Sequence, residues 1–222
     1  MITGCGRSGT RYITFLLRRL GLNVGHEIVK ENGIASWCTA VDVDQTPWGI
    51  SAREYNFEQI FHQIRHPLMV IPSTCSFKED SWQYICNHIP VSMDEPVMLR
   101  SAKYWYYWNL EAEKICEWSY RIEDIKNIFD EFCERLGILA DRSALESTPD
   151  DVNTRQRGRL VHLYDELMEH LSLNPSSRLR EKLERTTTNK SSHELTWDAL
   201  KSMDAQIYLK IKKKAREYGY SD

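Results

Sequence analysis

A chain of 222 residues, 41% hydrophobic and 27% charged, has the size and apolar content of one soluble globular domain, with room for an appendage. Its formal net charge of -3 argues against a nucleic-acid binder working by bulk electrostatics, so an anion site must come from local placement of Arg and Lys. No stretch reaches the ~20 apolar residues of a membrane span, and Gly4 to Gly9, with Arg7 among them, breaks the apolar run of a secretory leader.

The first four residues read as a short buried strand that enters a glycine-rich turn. Tyr12, Phe15, Leu16 and Leu20 then share one helical face, and Gly21 is a natural stop. Leu22 to Gly25 is a candidate second strand. Gln59 to Ile64 alternates like another, and Pro67 suits the first turn of a helix. Residues 97–118 carry the longest helical pattern, with five consecutive aromatics from Tyr104 to Trp108, for which packing is the default role and a sugar platform the alternative. Trp118 to Ile122 reads as a strand, Asp124 to Leu136 as a helix stopped by Gly137, and Trp197 to Tyr218 as a final amphipathic helix stopped by Gly219. Residues 159–171 have helical spacing. Polar loops are expected near 140–158 and 172–195 within one domain spanning 1–222. Strands alternating with helices predict an α/β fold, a mostly parallel sheet covered on both faces.

The stretch Gly4-Cys5-Gly6-Arg7-Ser8-Gly9-Thr10 joins the first strand to the first helix. Its glycines let backbone amides converge, and the helix start adds partial positive charge. A Walker loop reads G-x-x-x-x-G-K-[ST]. Gly4 and Gly9 keep that spacing, but Thr10 stands where the lysine belongs and Arg11 follows. The grip on the terminal phosphates of a nucleoside triphosphate is missing. The loop should hold a shorter anion, through Arg7 and the amides.

"GRSGT", Gly6 to Thr10, resembles the sulfotransferase family, whose corresponding loop holds the 5′-phosphosulfate of 3′-phosphoadenosine-5′-phosphosulfate (PAPS). A second motif carries the same resemblance: "IRHPLMVIPS", Ile64 to Ser73, has the Arg at a strand end and the Ser eight residues on that bind the 3′-phosphate in that family. "YRIEDI", Tyr120 to Ile125, and the closing helix resemble family segments more loosely, and no adenine contact is carried over. The resemblance implies a P-loop-like three-layer α/β/α fold and transfer of a sulfuryl group from PAPS to a hydroxyl acceptor, a small molecule or a glycan, leaving adenosine 3′,5′-bisphosphate (PAP). It implies no essential metal. Gly6, Arg7, Ser8, Gly9, Thr10, Arg65 and Ser73 would bind the donor, and Lys190, in "NKSSH", would come from a basic loop that folds over the nucleotide.

Sulfuryl transfer, like phosphoryl transfer, depends on positioning and charge stabilisation. Arg7 is the cation best placed for the leaving oxygen, and it cannot lose its charge. A base must take the acceptor's proton. In related enzymes it lies just beyond the loop's helix, where "VGHE" offers His26 and Glu27. Neighbouring strand residues point to opposite faces, so one of them is expected to face the transferring group, with Glu27 preferred. His66 reads as a structural neighbour of Pro67, and "SWCTA", Ser36 to Ala40, as a possible acceptor wall. The lysines from Lys210 to Lys214 read as a solvated helix face. Six cysteines form no C-x-x-C pair and fit reduced thiols in a cytoplasmic protein. Two other readings stand beside this one: an atypical P-loop kinase for a small molecule, against which the missing lysine counts, and a non-catalytic nucleotide-binding module.

Overall fold

A computed structural model describes residues 1–41, 55–148 and 194–221. Among these, five short strands form one all-parallel sheet: β1 (Ile2–Gly4), β2 (Gly25–His26), β3 (Ile34–Ala35), β4 (Phe61–Ile64) and β5 (Trp118–Arg121), in the order β2-β3-β1-β4-β5. Eight helices accompany it: α1 (Thr10–Arg19), α2 (Pro67–Thr74), α3 (Glu79–His88), α4 (Val97–Ile115), α5 (Phe129–Arg135), α6 (Arg142–Ser147), α7 (Trp197–Met203) and α8 (Ala205–Glu217). The arrangement is three-layered α/β, as expected. No described helix is long and apolar enough to cross a membrane.

The three inner strands β1, β3 and β4 are buried on both sides, as a parallel sheet requires, while the edge strands β2 and β5 are partly exposed, and alternation along the strands sorts the layers. In β4, His62 reaches Asn109 of α4 at 3.0 Å, while its neighbour Phe61 packs on Phe132 of α5 at the other face. The larger core lies on the α4 side, where Ile64, Ile71, Trp82, Ile85 and Ile211 close around Tyr104, Trp105 and Trp108. Those three aromatics are fully buried, so packing is their role. Tyr106 and Tyr107 are half-buried beside Lys210 of α8. Between β3 and β4 the sheet order reverses about β1. Ligands in such folds lie in the crevice beyond the strands' carboxyl ends at this switch point, where the glycine turn after β1 meets Arg65 after β4.

Helix ends explain most departures from expectation. Gly21, at φ 87°, closes α1: its N–H donates to Arg18 and that of Leu22 to Leu17, so Leu22 belongs to the helix end and β2 starts only at Gly25. Gly137 and Gly219 end α5 and α8 with the same paired bonds. The α1 face that is buried runs through Tyr12, Ile13, Leu16 and Leu17, with Phe15 and Leu20 half-buried. The closing helix is two helices, because Asp204 turns out of α7 and its carboxylate caps the N–H groups of Gln206 and Ile207. Asp141 likewise caps Ser143 and starts α6 inside a stretch read as loop. Residues 122–124 make a 3-10 turn, so α5 begins at Phe129 rather than near Asp124. Lys214 is not a solvated charge: it bonds Glu113 at 3.0 Å and Glu217 at 2.9 Å. The expected helix over 159–171 lies outside the described residues.

Candidate active site

The turn after β1 is held from beneath by backbone and by aromatic hydroxyls. At Gly4, φ is 153°, and a Cβ there would lie 2.2 Å from the Gln63 carbonyl oxygen, so only glycine lets β1 and β4 approach this closely. The Gly6 N–H donates to the Tyr104 hydroxyl at 2.7 Å, and Cys5 points its thiol to the Trp105 carbonyl at 3.6 Å. Gln63 bridges the other side: the Tyr120 hydroxyl donates to its Oε1 and its Nε2 donates to the Ser8 carbonyl, both at 2.8 Å. The pair of bonds fixes the orientation of that amide. The first helical bond of α1 runs from Ile13 to Gly9, so the amides of Thr10, Arg11 and Tyr12 lead the helix. Ser8 is fully buried, and its Oγ has no hydrogen-bond partner. We expect Gly4→Ala to cost about 3 kcal/mol, for the strained backbone plus the contact. Gly21→Ala, with nothing within 4 Å of the added carbon, should cost only about 1 kcal/mol. Equal losses in Tm would rule out the close approach as the cause.

Arg7 sits at φ 72°, in the left-handed region, and its guanidinium lies 5.2 Å from the Phe77 ring centre. Its Nη2 is 3.4 Å from Ser76 Oγ, whose hydroxyl donates to the Ser73 carbonyl at 2.9 Å. Arg65 Nη1 donates to the Arg7 carbonyl at 3.1 Å, so the two arginine-bearing turns touch. Trp105 of α4 fixes the Arg65 carbonyl at 3.0 Å. His66 is structural, as expected: its ring caps the Leu68 N–H, Pro67 opens α2, and its own N–H donates to Glu123 at 2.9 Å. Ser73 is not in the first turns of α2. It is the residue before the last of that helix, and its carbonyl is linked to Arg7 through Ser76.

His26 and Glu27 do not point to opposite faces. Glu27 lies just past β2 at φ 57°, which breaks the alternation and brings its Oε1 within 3.8 Å of His26 Nε2. His26 is tied to the start of α1, its Nε2 3.2 Å from Thr10 Oγ1. Burial, with Arg11, Arg18 and Arg7 nearby, holds its imidazole down to about 4. Burial pushes the Glu27 carboxyl up to about 7, against hydrogen bonds from Ser36, the Trp37 backbone and Cys38 that favour the ionised form. Both side chains keep about a third of their surface exposed.

The structure therefore gathers Gly6, Arg7, Ser8, Gly9, Thr10, His26, Glu27 and Arg65 at one edge of the sheet, with Ser73 one residue further out. Lys190 lies outside the described residues. The sequence reading missed the supports: Gln63, Tyr104, Tyr120 and Ser76. Gln63 had a visible signal, being with His62 one of two adjacent polar residues between Phe61 and Ile64. Comparison of the chain with family models, curated proteins and solved structures found no match. What the fold and site define is a parallel α/β protein with a glycine-rich turn after β1, an arginine in each of the touching turns after β1 and β4, and a carboxylate just past the edge strand β2.

Proposed function

We propose that this chain is a sulfotransferase that moves a sulfuryl group from PAPS to a hydroxyl on a small molecule or carbohydrate. The observation that carries the reading is the 3.1 Å bond from Arg65 to the Arg7 carbonyl, which brings the two arginine-bearing turns into contact. A donor with anionic groups at both ends suits that pair. The unpartnered Ser8 hydroxyl and the leading amides of α1 fit its phosphosulfate end. Thr10 occupies the lysine position of a triphosphate loop and bonds His26, which counts against ATP. Arg7 would meet the charge that grows on the leaving oxygen, and Arg65 would hold the 3′-phosphate with Ser73. Glu27 would take the acceptor's proton, because a carboxyl near 7 can be both ionised and basic at neutral pH, whereas an imidazole near 4 is a weak base. The products are a sulfate ester, PAP and that proton. Six free thiols support a cytoplasmic setting.

Thermal shift with PAP against ATP plus magnesium tests the donor. PAP alone should raise Tm; a rise with ATP and magnesium alone would reject the reading. A labelled-sulfate transfer assay over mixed hydroxyl acceptors then tests the reaction. Arg65→Ala should weaken PAP binding about 10- to 100-fold, the loss of a charge-assisted pair. It should weaken binding of adenosine 5′-monophosphate far less. Equal losses would mean that Arg65 does not read the 3′-phosphate.

A further inference from the structure

We infer that Ser36 is a positioning residue of this site: its hydroxyl donates to Glu27 Oε2 and holds the carboxylate with Oε1 turned toward His26. The inference rests on the reading of Glu27 as the base. A hydroxyl has one proton to give. The Cys38 N–H donates to Ser36 Oγ at 3.2 Å, so one lone pair is occupied and the proton is free to point at Glu27. The turn that carries Ser36 is itself pinned. The Ser36 N–H continues the pairing onto the Ile2 carbonyl of β1 at 3.0 Å, and Thr39 Oγ1 donates to the Ser36 carbonyl at 2.9 Å. From above, Trp108 Nε1 donates to the Trp37 carbonyl at 2.9 Å and the Tyr84 hydroxyl to that of Cys38 at 3.3 Å. Ser36 is fully buried, so its hydroxyl has no competing water. Glu27 is fixed from its other end too, its N–H donating to Ala35 at 3.2 Å. A carboxylate on a strained backbone therefore rests on a rigid donor. Such a support sets both the direction of the free oxygen and the balance between acid and carboxylate.

The test titrates the Glu27 carboxyl carbon by NMR in protein labelled with 13C-carboxyl glutamate, the peak assigned by its loss in Glu27→Gln. In Ser36→Ala the midpoint should rise by about one pH unit, the equivalent of a hydrogen bond to a charged group. Ser36→Cys, of nearly the same size and a weaker donor, should move it the same way and is the variant to read if Ser36→Ala does not fold. The acid limb of kcat should shift by the same amount, with turnover recovering at higher pH and PAP affinity unchanged. In a Glu27→Gln background, Ser36→Ala should change kcat no further. An unmoved midpoint overturns the role of Ser36. A moved midpoint in a protein that neither binds PAP nor transfers sulfate supports the Ser36–Glu27 link and rejects the sulfotransferase reading.

Discussion

Arg7→Ala should lower kcat about 10²- to 10³-fold, the loss that follows removal of one donor to developing charge, while PAP affinity falls far less. The asymmetry follows from which parts of Arg7 do what. Its carbonyl, the group that receives Arg65, survives the substitution. Its guanidinium, stacked on Phe77 and steadied by Ser76, is what disappears. Arg7→Lys should rescue poorly, since a flexible point charge cannot reproduce a planar fork. Because φ at this position is 72°, Arg7→Gly should be at least as stable as Arg7→Ala and equally slow. Transfer assays under saturating donor, with PAP binding by calorimetry, decide it. Near-normal kcat in the alanine variant would remove Arg7 from the chemistry.

Glu27→Gln should lower kcat about 10²- to 10⁴-fold, the span of a lost general base, with little change in donor affinity. In the wild type kcat should climb with pH and level off above about 7; the variant should lack that limb. Stability moves the other way. The folded chain holds the Glu27 proton more tightly than the unfolded chain, so its contribution is present below about 4.5 and lost as pH rises through about 7. Removing the charge should therefore raise Tm relative to wild type more at pH 8 than at pH 5. His26 has the opposite sign: held near 4, it contributes stability above 6.5 that is lost as pH falls through about 4. Unchanged kcat in Glu27→Gln would move the base elsewhere.

The elements legible in the sequence were those with a long period or a strong stop. The 19-residue helix α4 and the glycine ends at 21, 137 and 219 have local causes, and local causes survive into the fold. The glycine turn after β1 was legible because its glycines and Arg7 are neighbours in the chain. Two-residue strands such as β3 have no periodicity to detect. Helix α3 could have been read from Glu79 and Asp80 ahead of Trp82 and Ile85, an acidic first turn before an apolar face. Asp204 and Asp141 were visible as residues but not as caps, since a cap is defined by the backbone it turns. The arrangement of His26 and Glu27 was beyond reach for a similar reason. Strand alternation was the sound expectation, and one left-handed residue overturned it.

That same departure supplies a built-in spectroscopic gauge. With the imidazole nitrogen 3.8 Å from the carboxyl oxygen, the ring protons of His26 sense whether the neighbouring glutamate is ionised. Their chemical shifts will record two inflections, a small one near neutrality inherited from the glutamate and a larger one near pH 4 of their own. A series of proton spectra collected across pH, with no substrate and no label, thus reads the charge on Glu27.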